Sequence, residues 1–156
     1  MAVPNTNWRY FIINTNNNSK SAGKKLKLVL LYCQNCVANN RDINLIATKA
    51  KEFTLRTAVL PCSSKIQAHI ILKILDNEAD GVEIVVCPDE KCHFLAGSIR
   101  AKKRVEYVRR LLDEIGVGTD RVGLTQEIDL SCDDLIEIAS RRIAKIKSSY
   151  EEGDNL

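Results

Sequence analysis

The sequence predicts an α/β domain on an open parallel sheet, and three observations lead there. Four short apolar runs rich in leucine and valine recur, at 26–32, 55–60, 82–86 and 121–125. Amphipathic stretches with apolar residues three and four apart follow the later runs. The first three runs end in cysteine-bearing loops: Cys33-Gln-Asn-Cys36, Cys62, and Cys87-Pro-Asp-Glu-Lys-Cys92.

Residues 14–23 are rich in Asn, Ser and Gly and too poor in apolar side chains to order themselves. Residues 1–23 therefore read as a flexible N-terminal extension. Its apolar piece at 8–13 is an edge strand or an arm that docks a partner. A single α/β domain is expected over 24–150, with 151–156 as a disordered tail.

The four runs have the length and composition of strands. The first crossover, 42–53, has the weakest helical pattern. Ile66, Ile70, Ile71, Ile74 and Leu75 mark the second helix, with Ser63 or Ser64 as N-cap and Gly81 beyond its end. Ala101, Val105, Val108, Leu112 and Ile115 mark the third, closed by Gly116. Leu135, Ala139, Ile143 and Ile146 form the stripe of the last, opened by Asp129 or Ser131. Right-handed crossovers place helices on both faces of the sheet, and the expected architecture is flavodoxin-like, with strand order 2-1-3-4. Ligands of such sheets gather at the carboxyl ends of the strands, where the order reverses. Strands one and three flank that point, and Cys62 follows strand two. Five thiols are thus expected to share one pocket.

Composition narrows the function. A chain of 156 residues with 45% apolar content supports one core. A net charge of +3 from interspersed signs, with 5% aromatics, excludes the basic, aromatic-studded face of a nucleic-acid binder. No stretch approaches the roughly 20 apolar residues of a membrane span. The N-terminus lacks a secretory signal pattern, which points to the cytoplasm. In that compartment, clustered cysteines serve metals or redox chemistry rather than structural disulfides.

Four thiolates suit tetrahedral zinc or an iron–sulfur cluster. A zinc ribbon would present two short knuckles that fold around the metal, whereas these cysteines hang from a sheet with its own core. A thioredoxin-type centre needs a helix after Cys33, and Val37-Ala-Asn-Asn-Arg-Asp42 is a poor helix start. A phosphatase loop needs an arginine six residues past its cysteine; Ala68 and Ser98 stand there after Cys62 and Cys92. No Walker loop or G-x-G-x-x-G is present in the sequence. Spacing alone leaves an iron–sulfur cluster, zinc, a thiol–disulfide centre and buried structural cysteine open.

The cysteine pattern is joined by Cys62-Ser-Ser-Lys65, Asp80-Gly81-Val82, Cys92-His93-Phe94, Gly97, Arg104-Val105, Leu111-Leu112 and Ile115-Gly116. Together these resemble the delta subunit of methyl-viologen-reducing hydrogenases over roughly residues 26–146. That family extends to heterodisulfide-reductase-like complexes, quinone-interacting oxidoreductases and class II benzoyl-CoA reductases. The resemblance implies a non-catalytic electron-transfer subunit of a hetero-oligomeric, anaerobic oxidoreductase complex. It would carry one 2Fe-2S cluster and pass electrons between a hydrogenase or formate-dehydrogenase-type subunit and a flavin-bearing, heterodisulfide-reductase-like iron–sulfur subunit. The matching thiols are Cys33, Cys36, Cys62, Cys87 and Cys92, any four of which would hold iron. Cys132 falls where the family has a small residue and is left outside the site. Val37-Ala-Asn-Asn40 and Ser64-Lys65 depart from the aromatic and glycines, and from the Gly-Arg, typical of the family. The alternatives are a zinc-binding α/β scaffold without redox activity and a thiol–disulfide switch.

Positive charge and N–H donors near such a cluster would raise its potential. Lys65 and Lys91 are candidates for that role, with a solvated surface lysine as the plainer reading. His93 would donate to a cluster sulfur or carry a coupled proton, with a loop histidine satisfied by backbone as the equal alternative. His69 reads as structural. The run from Arg100 to Arg104 reads as a wet helix face or as a dock for an acidic partner.

Overall fold

The computed structural model describes residues 25–38, 46 and 49–153. The 1–23 extension, half of the 42–53 crossover and residues 154–156 lie outside the described residues. Strand β1 (Lys27–Cys33) is followed by β2 (Thr54–Leu60), helix α1 (Ala68–Asn77), β3 (Gly81–Val86), α2 (Gly97–Glu114), β4 (Val122–Gln126) and α3 (Cys132–Gly153). The strands form one parallel sheet in the order β2-β1-β3-β4. This is the expected 2-1-3-4 arrangement, each strand lying within a residue or two of its expected position.

Alternation builds the two faces. Leu28, Leu30, Tyr32 and Val85 pack with Leu135, Ile138, Ala139, Ile143 and Ile146 of α3. Val29, Leu31, Val82, Ile84 and Val86 pack on the other side with Ile71 and Ile74 of α1 and Ala101, Val105, Val108 and Leu112 of α2. Because helices cover both faces, the central strands β1 and β3 are apolar at nearly every position. Each large side chain so buried contributes about 1.5–3 kcal/mol.

Glu83 breaks that pattern in the middle of β3. It is 1% exposed, on the α3 face, and its carboxylate is paired with Arg142 of α3 while accepting from the Thr125 hydroxyl. Gly123 of β4 makes the room: a Cβ there would collide with the Glu83 carboxylate and the Arg142 guanidinium. A second donation, from Arg142 to the Asp120 carbonyl, ties α3 to the turn before β4.

Helix starts depart from expectation in one place. Ser63 and Ser64 do not cap α1; they lie in a 3-10 turn, Ser63–Lys65, after which Ile66 is extended and Gln67 precedes the helix. Proximity to an apolar stripe suggests a cap, but the chain first has to leave the sheet edge. At α3 the expected Ser131 does cap: its hydroxyl accepts from the Asp134 N–H, and the Asp134 carboxylate accepts from the Ser131 N–H. Helix α3 continues to Gly153, three residues past the expected domain limit at 150.

Candidate metal centre

Cys33 is the last residue of β1, and the chain turns at once through the 3-10 segment Gln34–Cys36. That turn brings Cys36 back beneath the strand end. It is held there because the Leu130 N–H donates to the Cys36 carbonyl and the Ala38 N–H donates to Leu130, next to a bridge between Val37 and Leu130. Cys87 directly follows β3, the strand beside β1. The sulfurs of Cys33, Cys36 and Cys87 all lie within 4.8 Å of one another and are buried. Cys87 Sγ is 3.6 Å from Cys36 Sγ and 3.8 Å from Cys33 Sγ. The triad sits where strand order reverses, between β1 and β3.

The other two thiols gather at the start of α2. A Cβ added to Gly97, the first residue of α2, would stand 2.6 Å from Cys62 Sγ and 3.1 Å from Cys92 Sγ. Both thiols are buried, and Gly97 is what lets the helix backbone reach them. Cys62 Sγ accepts from the Ser64 N–H at 3.5 Å. The two groups of thiols adjoin through Ser63, whose N–H donates to Cys33.

Electrostatics separate the thiols. Donation from the Cys36 thiol, helped by the N–H groups of Asn35 and Ser63, holds Cys33 down at about 5 against the opposing effect of burial. The same hydrogen bond, together with burial, pushes Cys36 up. Burial pushes Cys87 up to about 11. Burial also raises Cys92, but the N–H groups of Ser98, Phe94 and Gly97 and the Ser98 hydroxyl outweigh it, and its pKa is lowered. Free N–H groups at the first turn of a helix stabilise a thiolate in this way. Burial raises Tyr32, beside Cys33, to about 12.

Several supporting residues were not singled out for a role by the sequence. The Asp89 carboxylate accepts from Ser98 Oγ, Lys102 Nζ and Gln126 Nε2 at 2.7–3.0 Å, which fixes the loop between Cys87 and Cys92 against α2 and β4. Arg104 corrects the reading of the 100–104 run as uniformly wet. Its guanidinium turns inward and donates to the Ser64 and Ile66 carbonyls at 2.6 and 2.7 Å, clamping the Cys62 loop to α2. Lys102 is engaged with Asp89, which leaves Arg100 and Lys103 on the exposed face. Helical spacing carried the hint: Ser98 and Ala101 share the inward face with Val105, and Lys102 and Arg104 flank it. Lys65, Lys91 and His93 stand exposed at the rim, and neither the Lys65 nor the His93 side chain hydrogen-bonds a cysteine among the described residues. Cys132 is half-buried at the start of α3, outside the three-sulfur group.

A soft metal or metal–sulfide core matches this donor set: several buried thiols, one of them already held as thiolate, surrounded by backbone N–H donors. Among the described residues, no helix is long and apolar enough to cross a membrane.

Comparison with known proteins agrees with the geometry. The family described as methyl-viologen-reducing hydrogenase, delta subunit, matches residues 28–149. The chain is similar to the iron-sulfur subunit of the F420-non-reducing hydrogenase vhu of Methanocaldococcus jannaschii, at 28% identity over 94 residues, covering 60% of this chain and 70% of that protein. It is 29% identical over 97 residues to the corresponding iron-sulfur subunit of the F420-non-reducing hydrogenase of Archaeoglobus profundus, covering 62% and 71%. It also matches 12% of one chain of the ferredoxin:CoB-CoM heterodisulfide reductase of Methanosarcina mazei, at 27% identity over 95 residues and 61% of this chain.

Proposed function

This chain belongs to the methyl-viologen-reducing hydrogenase delta-subunit family, and on that premise we propose that it is a non-catalytic electron-transfer subunit carrying one 2Fe-2S cluster. Its place is in a hetero-oligomeric complex, between a hydrogenase or formate-dehydrogenase-type subunit and a flavin-containing, heterodisulfide-reductase-like subunit. The observation that carries the reading is the meeting of Cys33, Cys36 and Cys87 within 4.8 Å at the switch point of the sheet. The match to a segment of a heterodisulfide reductase chain supports the choice of partner, because there the same module forms part of a longer polypeptide.

The ligands are drawn from Cys33, Cys36, Cys62, Cys87 and Cys92, with the fourth thiolate supplied by the pair at Gly97. A bound 2Fe-2S cluster would supply a one-electron couple. The protein's own part is to keep the thiols dry, hold them as thiolates through N–H donors, and limit reorganisation. Lys65 and His93, exposed at the rim, would offset the negative charge of such a cluster or offer a proton donor beside it. Burial of the thiols raises the cost of the extra negative charge, and the first turn of α2 offsets it.

Zinc is the second reading. The 3.6 and 3.8 Å separations in the triad match the roughly 3.8 Å expected between thiolates around one tetrahedral ion with Zn–S bonds near 2.3 Å. Iron, labile sulfide and zinc assays on anaerobically purified protein separate the two, with electron paramagnetic resonance after dithionite. Iron and sulfide in equal amounts with a rhombic reduced signal are expected. Colourless protein with one zinc per chain would replace the electron-transfer reading by a structural one.

A further inference from the structure

We propose that Phe94, Leu95 and Ile99, ringed by Arg100, Lys103 and Lys91, form the docking face for a redox protein whose own surface has an apolar centre surrounded by carboxylates. The inference rests on the electron-transfer reading above and adds where, and to what chemistry, electrons leave or enter.

Phe94, Leu95 and Ile99 are 63%, 83% and 40% exposed, whereas most other large apolar side chains among the described residues are buried. Such a cluster marks a contact surface more often than an isolated exposed side chain does. Its segment is held in place. The Leu95 N–H donates to the Cys92 carbonyl, and the Ala96 N–H closes a tight turn on the Phe94 carbonyl. Leu95 takes a φ of 54°, a left-handed conformation that suits glycine or asparagine and is rare for leucine. A bulky apolar residue is therefore held outward in an unfavourable backbone state.

The patch is continuous with the thiol site. Phe94 and Leu95 follow Cys92 by two and three residues, and the Phe94 N–H donates to the Cys92 sulfur. Ile99 lies on the first turn of α2, two residues past Gly97, which abuts both Cys62 and Cys92.

Charge selects the occupant. No aspartate or glutamate occurs between Lys91 and Val105, while Lys91, Arg100 and Lys103 are all exposed. Lys65 extends the cationic rim from the neighbouring loop, which Arg104 holds against α2. Glu90, next to Lys91 in sequence, is exposed at this edge, and the next exposed carboxylate along α2, Glu106, lies about one turn past Lys103. With a net charge of only +3 on the whole chain, such a concentration at the cysteine end favours an acidic partner and steers its approach.

The test measures bimolecular electron exchange by stopped flow. It pairs the reduced, cluster-loaded full-length protein with an acidic 2[4Fe-4S] ferredoxin as probe, and uses methyl viologen as the small-molecule control. The rate with ferredoxin should fall as salt rises, and should drop at least about tenfold in Arg100→Glu/Lys103→Glu and in Leu95→Asn. Asparagine tolerates the Leu95 backbone conformation, so this variant removes the apolar group without forcing a new fold. The methyl viologen rate should not fall in either variant, since this small cation needs neither the apolar centre nor the cationic rim, and the visible spectrum should stay as in the wild type. Unchanged ferredoxin rates in the variants, or a wild-type rate indifferent to salt, would overturn the docking face while leaving the cluster in place. Protein without iron and sulfide would instead overturn the reading it rests on.

Discussion

Replacing Gly97 by alanine puts a methyl group where two sulfurs already press. The added carbon would lie 2.6 Å from Cys62 Sγ and 3.1 Å from Cys92 Sγ, whereas unstrained heavy atoms settle at about 3.5–4.0 Å. The shortfall is about 1 Å at Cys62. Overpacking of this kind costs about 1–3 kcal/mol, and the better helix propensity of alanine returns at most about 1 kcal/mol. Net destabilisation is then about 0–3 kcal/mol, a fall in Tm of no more than about 12 °C for a chain of this size. The larger effect is local. To relieve the overlap, the first turn of α2 must retreat from Cys62 and Cys92, taking with it the N–H groups of Gly97 and Ser98 that favour the Cys92 thiolate. Gly97→Ala should therefore retain its fold and lose most of its iron and labile sulfide, measured per chain together with the visible spectrum and the melting curve. Glu106→Ala, at an exposed position of the same helix, should keep both. A Gly97→Ala protein with full cluster content and an unaltered spectrum would refute the claim that close approach of this backbone builds the site.

Three other outcomes are expected. Arg104→Met removes two charged hydrogen bonds to the Cys62 loop and should lower stability in urea by about 2–3 kcal/mol while speeding iron release to a chelator; an unchanged urea midpoint would contradict the clamp. Arg142→Met leaves the Glu83 carboxylate buried without its partner and should cost about 3–5 kcal/mol, much of it recovered when Glu83→Leu is added. Equal stability of the wild type and Arg142→Met would count against that pairing. In metal-free protein Cys33 is held down at about 5, so thiolate absorbance near 240 nm should appear through pH 5. Because the folded chain has released a proton that the unfolded chain still holds, stability relative to Cys33→Ser should rise from pH 5 to about 9, where an ordinary thiol ionises. It should be lost as pH falls through 5. Cys87, pushed up to about 11, should contribute in the opposite sense, favouring the fold at lower pH and losing that contribution above pH 9. Thiolate absorbance absent below pH 8 would remove the basis for this asymmetry.

Much of the fold was legible because it is written in short-range periodicity. Leu28, Leu30 and Tyr32 against Val29 and Leu31 encode a strand buried on both faces. Ile71 and Ile74, or Val105, Val108 and Leu112, encode helices that cover it. Cysteines following those runs had to emerge at one end of a parallel sheet. The serines before α1 resemble caps in sequence and are not, because a cap depends on where the chain leaves the sheet edge, which local composition does not state. Glu83 lies inside the run read as a strand, and its partner Arg142 is 59 residues away, beyond the reach of local pattern.

Local pattern therefore determined the class, the strand order and the end of the sheet where the thiols lie, since each depends on periods of two or three to four residues and on the handedness of crossovers. Tertiary packing alone decided which thiols approach most closely, that Gly97 meets two of them, that Arg104 turns inward while Arg100 and Lys103 stay out, and that Leu95 faces solvent. Those outcomes are distances between segments far apart in the chain, and they depend on how α2 seats on the loops after β2 and β3.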